Sequence, residues 1–186
     1  MTFKKIPYKS GLQIIQRFKA SEDTLLLVTE DTSVSDTIDS LANETQYFDL
    51  CQFFAHALPV REAIWWAAHC LDQRKDDWNP NQKQCVETAK QWAQSPSEEL
   101  RRKAELFATR LNVNCGPSWL AQAVFWNGSG SIVAPDLPQV MPDSLLYSKA
   151  VAGAVNHAAA LPEWANSDAY YKYAVESAIN IAKGNA

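Results

Sequence analysis

Apolar side chains recur along most of this chain every three or four residues, the spacing that gathers them on one face of an α-helix. The densest case is Leu58-Pro59-Val60-Arg61-Glu62-Ala63-Ile64-Trp65-Trp66-Ala67-Ala68-His69-Cys70-Leu71. Pro59 suits an opening turn, where its missing N–H loses no bond. Ala63, Trp66, Ala67 and Cys70 share one face and Ile64, Ala68 and Leu71 the next, so a buried helix is predicted. Its polar strip is Glu62, His69 and Asp72, with Trp65 between them. Arg61 is the exception. A cation in a first turn opposes the helix dipole, so it needs a carboxylate such as Asp49 or Glu62, or a cluster of helix-end carbonyls.

The same periodicity predicts helices along the rest of the chain. Leu12, Ile15 and Phe18 mark a short one over Gly11 to Lys19, and Ser21 with Glu22 and Asp23 caps another through Val28. Ser33 with Asp36 opens a third, and Tyr47, Leu50, Cys51, Phe54, Ala57 and Leu58 line a fourth. Asn79-Pro80 is a cap followed by proline in the first turn; the helix behind it buries Cys85, Val86, Ala89, Trp92 and Ala93. Ser95-Pro96-Ser97-Glu98 has the form of a capping box. Beyond it, Leu100, Ala104, Phe107, Ala108 and Leu111 face inward, with Glu98–Arg102 and Glu99–Lys103 as expected ion pairs.

Gly116-Pro117 restarts the chain, Trp119 to Trp126 makes a short apolar helix, and Asn127-Gly128-Ser129-Gly130-Ser131 stops it. Pro135, Pro138 and Pro142 exclude helix or central strand from Ile132 to Asp143, so that segment is expected as an ordered strap. Two helices follow. One, Leu145 to Ala160, carries the small residues Ala150, Gly153, Ala154 and Ala158, which let another backbone approach. The other, Asp168 to Lys183, presents Tyr170, Ala174, Ser177, Ala178 and Ile181 to the core and ends at Gly184. The fold predicted is all-α, an irregular or orthogonal bundle of about eight to ten helices in a single domain over 1–186.

Composition narrows the function classes. The 186 residues suffice for one well-buried domain, and the 47% hydrophobic and 20% charged fractions are those of a globular protein. A net charge of −4 gives no reason to expect nucleic acid or an anionic membrane as partner. No apolar run approaches a membrane span, and the basic start, Met1 to Lys9, has no apolar core behind it, so a cytoplasmic protein is expected. Cys51, Cys70, Cys85 and Cys115 lie far apart beside apolar neighbours and fit buried reduced thiols.

Candidate chemistry is thin. Neighbouring helical residues point about 100° apart, so His69 cannot activate Cys70. His56, His69 and His157 are too scattered for a metal site, and no cofactor is implied; His56 and His157, flanked by alanines, are expected at helix interfaces. The glycine-serine run lacks the lysine of a phosphate loop. Of the seven Trp, Trp65, Trp78 and Trp164 are the ones expected at the surface, where a tryptophan can anchor a partner.

Several stretches together resemble a bacterial family known as a domain of unknown function. They are Phe53 to Ala67 with its Leu-Pro-x-Arg-Glu-Ala-Ile-Trp-Trp-Ala core, Trp92 with Ser95-Pro96-Ser97, Ala123-Val124-Phe125-Trp126 with the Gly/Ser run, Ala150 to Val155, and Ala178 to Gly184. The chain departs at Asn127 and Gly128-Ser129-Gly130, where the family pattern is closer to Ser-Gly-Gly. The resemblance implies a setting beside type VI secretion tip proteins and their adaptors in Gram-negative bacteria, and no catalytic residues carry over. The function expected from it is a non-enzymatic adaptor or co-chaperone whose partner is a secretion tip protein, adaptor or effector. Arg61, Glu62, Trp65, Trp66, His69 and Trp126 are its candidate motif residues. The contact surface is expected at Arg61, Glu62 and Trp65 and on the strap. Two rival expectations remain: an immunity protein for a secreted toxin, and an enzyme whose site assembles from Arg61, Glu62, His69 and His157.

Overall fold

The computed structural model describes residues 3–185; Met1 and Thr2 of the basic start, and Ala186, lie outside them. Among the described residues ten α-helices follow one another: α1 (Leu12–Ile15), α2 (Glu22–Leu27), α3 (Val34–Asn43), α4 (Tyr47–Ala57), α5 (Val60–Asp72), α6 (Pro80–Gln94), α7 (Glu98–Arg110), α8 (Gly116–Phe125), α9 (Leu146–Ala159) and α10 (Ser167–Lys183). Among the described residues the only β-pairing is an isolated bridge between Ser10 and Ser33, so the fold is all-α as its periodicity predicts. Among the described residues no helix is long and apolar enough to cross a membrane.

Local chemistry sets several helix starts. The hydroxyls of Ser21 and Ser33 accept from the backbone N–H of Thr24 and Asp36, and Asn79 forms a reciprocal capping box with Gln82. Two starts and ends differ from expectation. The first helix closes at Ile15 because its last turn tightens to three-residue bonds, Arg17 N–H to Ile14 O and Phe18 N–H to Ile15 O, which bring Phe18 onto the His56 ring 5.2 Å away. The α7 cap is Ser97 and not Ser95, because the Ser95 N–H bonds to Gln91 O and so ends α6. Glu99 and Lys103 do not pair either; the Lys103 ammonium lies over the Phe107 ring at 6.0 Å.

Helix α5 sits at the centre, packed against α6, α8, α9 and α10. Ala63, Ile64, Trp66, Ala67, Ala68, Cys70 and Leu71 are all fully buried, in one continuous core that runs from Ile6 to Ala182. Trp66 is anchored there by its indole N–H, which donates to Ala174 O of α10 at 2.8 Å. The small residues of α9 do permit close approach: a Cβ added to Gly116 of α8 would meet Ala154 O at 3.0 Å.

Arginines close the carbonyl ends that the chain leaves open. Arg61 donates through Nε and Nη2 to Ala93 O, at 3.0 and 2.8 Å, and through Nη2 to Gln94 O at 3.3 Å, at the end of α6. Arg74 reaches Ala158 O at the end of α9 and lies over the Tyr170 ring. Arg101, fully buried, donates to Phe125 O at the end of α8 and to Ser131 O, and forms an ion pair with Glu98. A cation at a helix C-terminus satisfies both the dipole and the unpaired carbonyls.

The strap is held from the same side. Arg102 donates to Ser131 O and Val133 O, and Ser131 Oγ links to both the carbonyl and the N–H of Val140. Gly130 permits this arrangement. A Cβ there would lie 2.7 Å from Arg101 Nη2, whereas Gly128 meets nothing and is required for its φ of +92°. Of the tryptophans expected at the surface, Trp164 is 62% exposed and Trp65 half-buried, but Trp78 is buried because its indole N–H donates to Leu71 O.

Candidate functional site

The amphipathic character of α5 leaves one strip of it outside the core, and α10 crosses beside that strip. The two helices bound a groove of about 400 Å³ lined by Trp65 and His69 from α5 and by Tyr173, Glu176, Ser177, Asn180 and Ile181 from α10. A smaller recess of about 240 Å³ continues it past Trp65 toward Arg61, Glu62 and Lys5. The N-terminal segment closes that end, because the Lys5 N–H donates to Ala182 O and its ammonium pairs with Glu62 at 2.7 Å.

Four of the six candidate residues, Arg61, Glu62, Trp65 and His69, therefore lie along one continuous edge. The other two do not. Trp66 is fully buried in the core, and Trp126 is the half-buried residue that ends α8. Arg61 uses carbonyls and not a carboxylate; Asp49 is engaged elsewhere, accepting from the Ser21 N–H at 2.8 Å. His157 is exposed on α9, not at a helix interface, and lines a different cleft from His69.

His69 meets Trp65 edge to face with ring centroids 4.3 Å apart, and its Nε2 is buried without a hydrogen-bond partner. Burial holds the His69 imidazole below its usual range, with Lys90 adding to that and Asp72 opposing it. Burial likewise raises the Tyr173 phenol. Cys70, next in sequence, is fully buried and its thiol is pushed up by desolvation and by Cys51, so no thiolate faces the groove. Cys51 and Cys85 are raised by burial as well, Cys85 to about 12, and all four cysteines are free and buried. Glu176 has no ion-pair partner among the described residues and projects at the rim.

The α10 half of the groove was not foreseen from the sequence. Tyr173, Glu176, Ser177 and Asn180 recur at three- and four-residue spacing, which marks a half-polar helix face. Ser177 belongs to this rim and not to the core. Among the described residues no three His, Cys, Asp or Glu side chains converge as a metal site.

No curated protein and no solved structure matches the chain. Residues 37–182, from α3 into α10 and so including both walls of the groove, match the family described as "Family of unknown function (DUF6931)". The chain is a member of that family.

Proposed function

We propose that this chain is a non-enzymatic interaction protein, an adaptor or co-chaperone of type VI secretion cargo or tip assembly, whose α5–α10 groove takes a basic side chain of the partner. The observation that carries this reading is how the polar groups are used. Arg61 is bound to helix-end carbonyls, Glu62 to Lys5, and the thiols face the core. What remains at the rim are two aromatic side chains, Trp65 and Tyr173, and the carboxylate of Glu176, which has no ion-pair partner among the described residues. A flat aromatic face next to a carboxylate suits a lysine or arginine side chain, which gains from both. The secretion setting comes from the family resemblance alone and supplies the class of partner.

Affinity purification from the source bacterium under secreting conditions tests it. The wild-type chain should recover a tip protein, adaptor or effector, and the folded variants Trp65→Ala and Glu176→Lys should lose it. Recovery of none, or equal recovery by both variants, contradicts the proposal.

A further inference from the structure

A second cleft lies away from the groove, where α4, α8 and α9 meet beside the turn after α1. Its volume is about 560 Å³, more than that of the α5–α10 groove. Its apolar surface comes from Phe18, Phe48 and Trp119, and its rim carries Lys19, Lys149 and His157. Phe48 is 54% exposed, although its backbone is tethered by Asn156 Nδ2, which donates to Phe48 O at 3.3 Å. The Asn156 side-chain oxygen is buried with no partner. Trp119 lies against Gly153, where an added Cβ would be in ordinary contact at 3.6 Å.

Charge decides what such a cleft would hold. The chain as a whole carries −4, yet no Asp or Glu lines this cleft, and neither Lys19 nor Lys149 has an ion-pair partner among the described residues. Burial lowers the pKa of the His56 ring beneath Phe18, the hydrogen bond with the Gln52 carbonyl opposes that, and Arg17 and Lys149 add to the lowering. Exposed aromatic surface inside an acid-free basic rim is complementary to an apolar group that carries a carboxylate beside it.

We infer that this cleft is a second protein-docking site, for a segment of a partner that places an aromatic or long aliphatic side chain on Phe48 and Trp119 with an Asp or Glu against Lys19 and Lys149. The chain's net charge of −4 disfavours an anionic membrane surface as the occupant. Its preference is opposite in sign to that of the α5–α10 groove, so one partner could engage both only through segments of opposite charge.

The test selects a displayed random dodecamer peptide library on the full-length chain and re-measures each enriched peptide on the folded variants Phe48→Ala, Lys149→Glu and Trp65→Ala. The result expected is a class of peptides that pair an aromatic or long aliphatic residue with Asp or Glu. Their binding should weaken with salt, fall about tenfold or more in Phe48→Ala and Lys149→Glu, and be unchanged in Trp65→Ala. The absence of any class that depends on both Phe48 and Lys149 overturns the inference, and so does a dependent class without acidic residues. A parallel flotation assay uses vesicles of phosphatidylglycerol and phosphatidylcholine. Lys149-dependent vesicle binding that displaces the peptides assigns the cleft to lipid and overturns it too.

Discussion

Arg101 carries a full positive charge where no water reaches it, and its stability there depends on four acceptors placed by three separate segments: both Glu98 carboxylate oxygens, Phe125 O and Ser131 O. Gly130 is the residue that lets the last of these close in. Gly130→Ala should therefore destabilise the fold by about 1–3 kcal/mol through overpacking against the guanidinium. Gly128→Ala, in open space, should cost roughly 1–2 kcal/mol through its left-handed backbone alone. A double-mutant cycle in urea separates the two: the Gly130→Ala penalty should shrink in an Arg101→Ala background, and the Gly128→Ala penalty should not. Histidine protonation gives a second residue-scale prediction. His56 and His69 both have folded values lowered first by burial, so the unfolded chain binds more protons as the pH falls. The stability they contribute is complete above about pH 6.5 and lost as pH drops through the lower folded values. The Glu98 carboxyl, held down by Arg101 and then Arg102, adds a separate loss at lower pH. Urea midpoints across pH 7.5 to 5 should fall for the wild type and stay nearly level for His56→Gln/His69→Gln.

At the level of helices, the arrangement depends on how their ends are finished. N-terminal ends are closed by neighbours in sequence: Ser21, Ser33, Asn79 and Ser97 each reach a backbone N–H three residues on. C-terminal ends are closed from a distance, by Arg61 across 32 residues, Arg74 across 84 and Arg101 across 24. This difference explains what the sequence reveals. Capping serines and apolar stripes are local signals, and they place all ten helices to within a turn or two except at the short α1. The arginine closures are not local. Arg101 lies three and seven residues before Ala104 and Ala108, at the edge of the buried face of α7, but only the arrival of α8 and the Gly130 turn gives it its carbonyl acceptors. The same holds for the groove: Trp65 and His69 are visible on α5, but their α10 partners are brought to them by the fold. Arg61→Ala should lower stability by about 1–2 kcal/mol by freeing the end of α6. Hydrogen exchange should then accelerate at the last turn of α6 and leave α9 protected; uniform acceleration would contradict a local capping role.

Two clefts of the helical bundle differ in the charge they carry. The α5–α10 groove carries an unpaired carboxylate, and the cleft beside α4, α8 and α9 carries unpaired lysines. The strap adds exposed Leu137, Val140 and Met141 on a backbone pinned by Arg102 and Ser131. Core packing accounts for the Trp66 side of the Leu58 to Leu71 motif, and capping accounts for Arg61. Trp65 is the aromatic side chain of that motif left half-exposed at the groove, and there a partner is expected to bind. The most direct measurement is site-specific photo-crosslinking in the source bacterium under secreting conditions, with a photoreactive amino acid at position 176 and, as control, at position 103 on α7. The account predicts a crosslink to a secretion tip protein, adaptor or effector from position 176, abolished by Trp65→Ala, and none from position 103. No crosslink from position 176, or the same crosslink from position 103, would contradict it.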